Sequence, residues 1–329
     1  MYSLRATRAS PPGQAGSSTA RRETYSSALH QFDELMAAAA EVSAVSRPML
    51  LYYAMHQAGK AVCAAWTSGS DWNVRGHGLK QASRDAKWRK DVRKFLLKPD
   101  DSPGVFGAFA AAIGSHALTA GVEVGELWAA IPESGLPYSA RLPALPVHLS
   151  IAPDFGEPGR MYSAIGGEVD FGDIPSLTDA AAVSTWLSQY PGAARMKVST
   201  HNGELLPWPA ASGNCYQVLC EPDPAATEDD GRPETIASYV AKRFAGYPAL
   251  LGAAWLIPPV GENADLLPPV LLWWVLMHAL SLLARYEPGT WRDALNLDRS
   301  QLADPLQQLL DEALRVIPDL MYEAATSGP

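Results

Sequence analysis

His56 and Lys60 stand four residues apart, and Tyr52 precedes His56 by the same step, so the three share one face of a helix. Tyr53 precedes Lys60 by seven residues on the same side. Such a stripe can line a pocket in which the imidazole moves a proton and the ammonium clamps a phosphate. A loop follows, Arg75-Gly76-His77-Gly78-Leu79, whose glycines let backbone approach a ligand or take a positive φ. Near the C-terminus His278, Ser281 and Arg285 recur at steps of three and four, again one helical face. Arg285 can hold a phosphate or carboxylate through two N–H groups. A base and a cation beside a scissile phosphate are what RNA cleavage without a metal needs, and His56 with Arg285 is the pair of choice. His77 and Arg75 are their alternates. Tyr53, Lys60, Arg75, His77, His278 and Ser281 are candidate ligand contacts. The plainer alternative makes His56 a hydrogen-bonded core residue, lets Lys60 reach to water, and pairs Arg285 with Glu287 or Asp293.

A second feature is charge. From Lys80 to Lys98 there are eight cations, among them Lys87, Lys90 and Lys94, against the two acids Asp85 and Asp91. That bias exceeds an ordinary solvated face, so these three lysines are candidates for nucleic-acid contact. Standard nucleotide loops, a Gly-x-Ser-x-Gly elbow and a His-Glu-x-x-His motif are all missing. The residue pattern therefore calls for no cofactor and no metal.

The elements that must position these groups are mostly helices. Tyr25 to Val42 has helical spacing, with Leu29, Phe32, Leu35 and Met36 on one stripe. Ser46 is placed to cap the next helix, with Pro48 in its first turn, running to about Trp66. The basic stretch reads as a helix ending before Pro99, and Val124 to Ile131 as a short one. Pro268 to Arg285 is almost wholly apolar and near the lower length limit for a bilayer span. Pro268 and Pro269 at its start, and His278 and Ser281 within it, favour a core helix and no membrane. Ser300 to Leu320 closes the chain as an amphipathic helix. Between Leu142 and Glu221 proline and glycine become frequent and short β-like runs appear, at 147–151, 196–199 and 215–219, around a helix at 178–190. An acidic loop at 222–233, a helix at 236–244 and an extended run at 250–257 follow.

The chain has 329 residues, 47% hydrophobic and 19% charged, which supports a sizeable core and excludes wholesale disorder. A net charge of −9 excludes coating DNA through overall charge, although a local basic patch stays open. Three cysteines, Cys63, Cys215 and Cys220, are too few and scattered for a disulfide framework and fit a reducing, cytoplasmic setting. Residues 1–22 are polar, rich in Ser and Arg, and read as a disordered tail.

The segments Leu51–Lys60, Arg75–Leu79 and Ser281–Trp291 resemble the YaaC-like proteins, a bacterial family. In that pattern a Tyr-Tyr-rich helix with a Lys is followed by His-Gly, and Leu-Ser-x-x-x-Arg-Tyr-x-Pro-x-x-Trp closes the domain. Here the last reads Leu280-Ser281-Leu282-Leu283-Ala284-Arg285-Tyr286-Glu287-Pro288-Gly289-Thr290-Trp291. The Tyr-Tyr-x-x-x-His-x-x-x-Lys helix is also similar to the second helix of HEPN domains, helical bundles found in RNases of toxin–antitoxin and phage-defence systems. Those enzymes carry Arg, four to six residues, then His, on a helix. The literal match here, Arg195 to His201, falls in the β-like stretch.

The resulting expectation is a mainly α protein: a HEPN-like helical bundle over residues 23–329, with a small β-containing (α+β) insertion at about 142–221. The resemblance implies a bacterial component, for example of phage defence, that binds a nucleotide or nucleic acid and has a protein partner or homo-oligomer. Its alternative is a metal-independent RNase.

Overall fold

The computed structural model describes residues 2–83, 86–133, 147–153, 161–165, 180–191, 196–198, 200–201, 204–205, 216–220, 245–246, 254–263 and 267–328. The acidic loop, the helix expected at 236–244, Cys215 and Arg195 lie outside them. The chain is mainly helical and divides into two units. Unit 1 takes residues 1–142, 260–263 and 267–329, and unit 2 takes 143–259 and 264–266. The second unit starts where the texture of the sequence changes but runs well past 221.

Unit 1 is built around α4. Its N-terminal elements are α1 (Tyr2–Thr7), α2 (Gly13–Ser17), α3 (Thr19–Glu41) and α4 (Arg47–Trp66). A three-stranded antiparallel sheet, β1 (Leu79–Gln81), β2 (Leu96–Pro99) and β3 (Val122–Glu123), surrounds α5 (Gly104–Ala112) in the chain and leads to α6 (Val124–Ala129). The strands of unit 2 come next along the chain. After them unit 1 resumes with α8 (Pro269–Tyr286), α9 (Pro288–Ala294) and α10 (Ala303–Ser327), so numbered because unit 2 holds α7 (Ala180–Leu187). Helix α4 packs on α3, α5, α8 and α10. That is why its sequence is apolar nearly all round: thirteen of its residues are buried, His56 and Gly59 among them.

The central contact is between α4 and α8, the two helices that carry the polar stripes. It closes at Gly59, where a Cβ would lie 2.4 Å from the Trp274 ring. Trp274 is fully buried and stacks on Phe109 of α5 at 5.0 Å. Helix α8 alone is long and apolar enough to cross a membrane among the described residues, and 78% of it is buried inside the fold. It is the core helix of unit 1.

Three expectations are corrected. Residues 2–22 are not a tail: they form α1, α2 and the start of α3, with Leu4 and Ala15 buried. Arg21 supplies the reason. Its guanidinium is 5% exposed and donates to the carbonyls of Ala64 at 3.1 Å, Thr67 at 2.7 Å and Gly69, the open acceptors at the end of α4. The basic stretch is not a helix. It runs through β1, two 3-10 turns (Lys87–Arg89 and Val92–Lys94) and β2; Trp88, Val92 and Phe95 keep helical spacing, but Leu97, buried two residues after Phe95, falls on the other side of such a helix and belongs to β2. Ser46 occupies the N-cap position of α4 but makes no side-chain cap bond. Instead Arg47 donates to the Ala39 and Val42 carbonyls at 3.1 and 3.0 Å, closing the end of α3.

Unit 2 holds a six-stranded antiparallel sheet in the order β10 (Ala245–Gly246), β11 (Ala254–Leu256), β4 (Val147–Pro153), β5 (Met161–Ile165), β9 (Tyr216–Cys220), β6 (Met196–Val198). The hairpin β7 (Thr200–His201) and β8 (Glu204–Leu205) stands apart from it.

Candidate functional site

The polar stripes of α4 and α8 meet, and the Gly76–Gly78 loop brings a third histidine between them. Gly76 and Gly78 both take φ +84, a region costly to other residues. At Gly78 a Cβ would stand 1.9 Å from the Pro103 carbonyl, so the loop lies flat on the start of α5. There the Val105 and Phe106 amides donate to the carbonyls of Gly76 and His77 at 3.1 and 3.3 Å. The otherwise open N–H groups of a helix start thus fix the backbone of His77.

Tyr52 is the hub. Its ring lies 4.5 Å from His278, 5.6 Å from His77 and 6.1 Å from His56, centroid to centroid. His77 is 5.4 Å from His56 and 5.6 Å from His278. The Tyr52 hydroxyl is 2.6 Å from Nδ1 of His77. Burial raises the Tyr52 phenol far above its usual range, so it keeps its proton, and either the phenol or the imidazole N–H can donate in this bond. When the phenol donates, the proton of His77 sits on Nε2, which can then donate to a ligand; in the other tautomer Nε2 accepts.

All three imidazoles are held neutral. Burial lowers His278 to about 3, helped by His77 and Arg285, and lowers His56 to about 4, helped by Lys60 and His77. His77 is only half-buried; burial, Arg285 and Lys60 together lower it. Both ring nitrogens of His278 and Nε2 of His56 are buried without a hydrogen-bond partner. The Gly76 backbone beside His56 and the Leu79 backbone beside His278 act on these imidazoles only as the smallest influence, raising them slightly against burial.

Arg285 reaches the cluster from the last turn of α8. It donates through Nε to the Ser281 carbonyl at 3.2 Å and through Nη1 to the Tyr53 hydroxyl at 3.0 Å, and its Nη2 lies 3.5 Å from the Ser281 hydroxyl. A guanidinium has five N–H groups, so one remains on each terminal nitrogen, a fork suited to an oxyanion. Among the described residues no carboxylate pairs with it: Glu287 instead binds Arg89 at 2.8 Å. Lys60 likewise has no carboxylate partner among the described residues. Two uncompensated cations beside three neutral imidazoles make a site for an anion.

Every residue that the two helix stripes nominated is in or beside this cluster: Tyr53, His56, Lys60, His278, Ser281 and Arg285, joined by His77. Arg75 is exposed. Lys87, Lys90 and Lys94 are exposed on or beside the 3-10 turns; in the same stretch Lys80 pairs with Asp100 and Asp101, and Arg93 with Asp91. Sequence reasoning set Tyr52 on the pocket-lining stripe but did not name it among the catalytic or ligand-contact residues. Its four-residue step to His56 was the available signal. No group of three or more metal-ligating side chains is arranged to hold a metal among the described residues.

The family model of the YaaC-like Protein matches residues 5–155 and 226–325. The chain belongs to the YaaC-like family. Neither the curated proteins nor the solved structures give a match. The two matched stretches of this YaaC-like chain contain every residue of the cluster, and the stretch between them, 156–225, lies in unit 2.

Proposed function

We propose that this YaaC-like chain is a phosphate-recognising binding component that takes a nucleotide or nucleic acid at His77, Arg285 and Lys60. One observation carries the reading: two cations that have no carboxylate partner among the described residues act on a neutral His77, which is itself hydrogen-bonded to the Tyr52 hydroxyl. A buried or half-buried cation without a counter-ion is costly, and a bound oxyanion removes that cost. The bacterial, cytoplasmic setting and a role such as phage defence belong to the same reading and rest on the family resemblance. So does the HEPN-like description of the helices, whose support is the Tyr-Tyr-x-x-x-His-x-x-x-Lys helix; the His201 end of the literal Arg–His motif lies on β7.

The test is binding of inorganic phosphate and of nucleoside monophosphates, followed by calorimetry and by the rise in melting temperature that a native-state ligand causes. Arg285→Ala is expected to weaken binding by a factor of ten to a hundred, the size of a lost charge-assisted pair. Unchanged affinity in Arg285→Ala and in Lys60→Ala would sink the reading.

The RNase alternative has its own observation, the Tyr52–His77 bond, and that bond moves the chemistry from His56 to His77. An imidazole lowered to about 4 and buried is a weak base at neutral pH, whereas His77 is half-buried and oriented. Cleavage of single-stranded RNA in EDTA that is lost in His77→Ala would establish this alternative.

A further inference from the structure

Arg285 stands between two tyrosine rings. Its guanidinium carbon is 5.6 Å from the centre of Tyr53 and 5.0 Å from the centre of Tyr286. The two rings do different work. Tyr53 is half-buried and its hydroxyl accepts a hydrogen bond from Arg285. Tyr286 is 68% exposed, among the most exposed large apolar side chains of the described residues, and makes no hydrogen bond to them. The guanidinium lies over one face of this ring, and the rest of the side chain is open to solvent.

We propose that Tyr286 is a stacking platform for a nucleobase, so that the ligand of the Arg285 site is a nucleotide or a single-stranded RNA end, not a bare phosphate or a sugar phosphate. This rests on the phosphate reading above. The juxtaposition carries it: a nucleotide holds its phosphate and base one sugar apart, and here a guanidinium without a carboxylate partner among the described residues lies 5.0 Å from the centre of a largely exposed aromatic ring. Every base has a π-face, so a tyrosine platform tolerates any of them, and the cation beside the ring adds attraction to the stacked face. The neutral imidazoles fit the same ligand. They place polar nitrogens without further positive charge beside the fork, so the site suits one phosphate and a neutral remainder better than a polyphosphate. Glu287, the nearest acid in sequence, is engaged by Arg89 and does not compete for the fork.

The experiment compares four probes on the full chain: inorganic phosphate, ribose 5-phosphate, adenosine monophosphate and a short single-stranded RNA. Wild type is expected to bind the two base-carrying probes about tenfold tighter than ribose 5-phosphate, the size of one stacking contact. In Tyr286→Ala that ratio should fall to about one. Tyr286→Trp should keep it, with tryptophan fluorescence quenched on addition of the nucleotide and not on addition of phosphate. The monophosphate and the RNA separate a free nucleotide from a strand end. If Arg285→Ala abolishes phosphate binding while Tyr286→Ala leaves the ratio unchanged, the base platform is wrong and the phosphate site stands. If wild type binds none of the four probes, both are wrong.

Discussion

The imidazoles of His56 and His278 are stored in the fold as neutral groups, and that has a cost that depends on pH. Each has a folded pKa below the ordinary 6.5, about 4 for His56 and about 3 for His278. The unfolded chain therefore takes up protons first as pH falls, so stability falls with it. The contribution is fully present above about 6.5 and is lost progressively from there down toward 4 and 3. His77, Arg285 and His56 help to hold His278 neutral, and Lys60 and His77 help to hold His56 neutral, so the loss is shared across the cluster. Urea melts between pH 7.5 and 4.5 should show wild type losing on the order of 2 kcal/mol. His278→Gln, which cannot titrate, should show a visibly shallower slope. Equal slopes would mean that the cluster does not hold His278 neutral.

The contact between α4 and α8 is decided by one missing side chain. In an isolated helix Gly59→Ala would stabilise by up to about 1 kcal/mol, because alanine is the better helix former. Here the added methyl would stand 2.4 Å from the Trp274 ring, and that ring is clamped between the helix and Phe109. Trp274 has no free volume into which to retreat, so packing outweighs propensity and Gly59→Ala should cost roughly 1–3 kcal/mol. The same substitution should weaken phosphate binding, because the helices that carry Tyr53 and Arg285 would be pushed apart. A stabilised Gly59→Ala protein would show that the two helices do not approach this closely.

For unit 1 as a whole, α8 is the element on which folding depends. Leu276 is fully buried in the middle of it. Leu276→Asp would place a charge without a partner in the core, a change that costs several kcal/mol and commonly exceeds the stability of a domain. The expected result is an insoluble or unfolded chain by circular dichroism. A soluble variant with a native melting temperature would require α8 to lie elsewhere. Helix α10 gives the contrast: on its outer side Asp311 is exposed and Leu306, Leu309 and Ala313 are buried, so substitutions there should divide by face.

The sequence by itself determined the helices α3, α4, α8 and α10 and nominated most of the site. Periodicity marks a buried face, and a polar residue set into an apolar helix is conspicuous wherever it sits. It also placed the start of the second unit, because proline and glycine frequency changes locally. Three things were decided only by tertiary structure. The basic stretch folded as strands and turns because its few large apolar residues found a core to enter, which outweighed a charge pattern suited to a helix. Residues 2–22 ordered because Arg21 found the open end of α4, a partner more than forty residues away in sequence. Tyr52 became the hub of the site because its ring falls where two helices and a glycine loop converge. Spacing along one helix states which residues share a face, but the identity of what faces them is set by long-range packing.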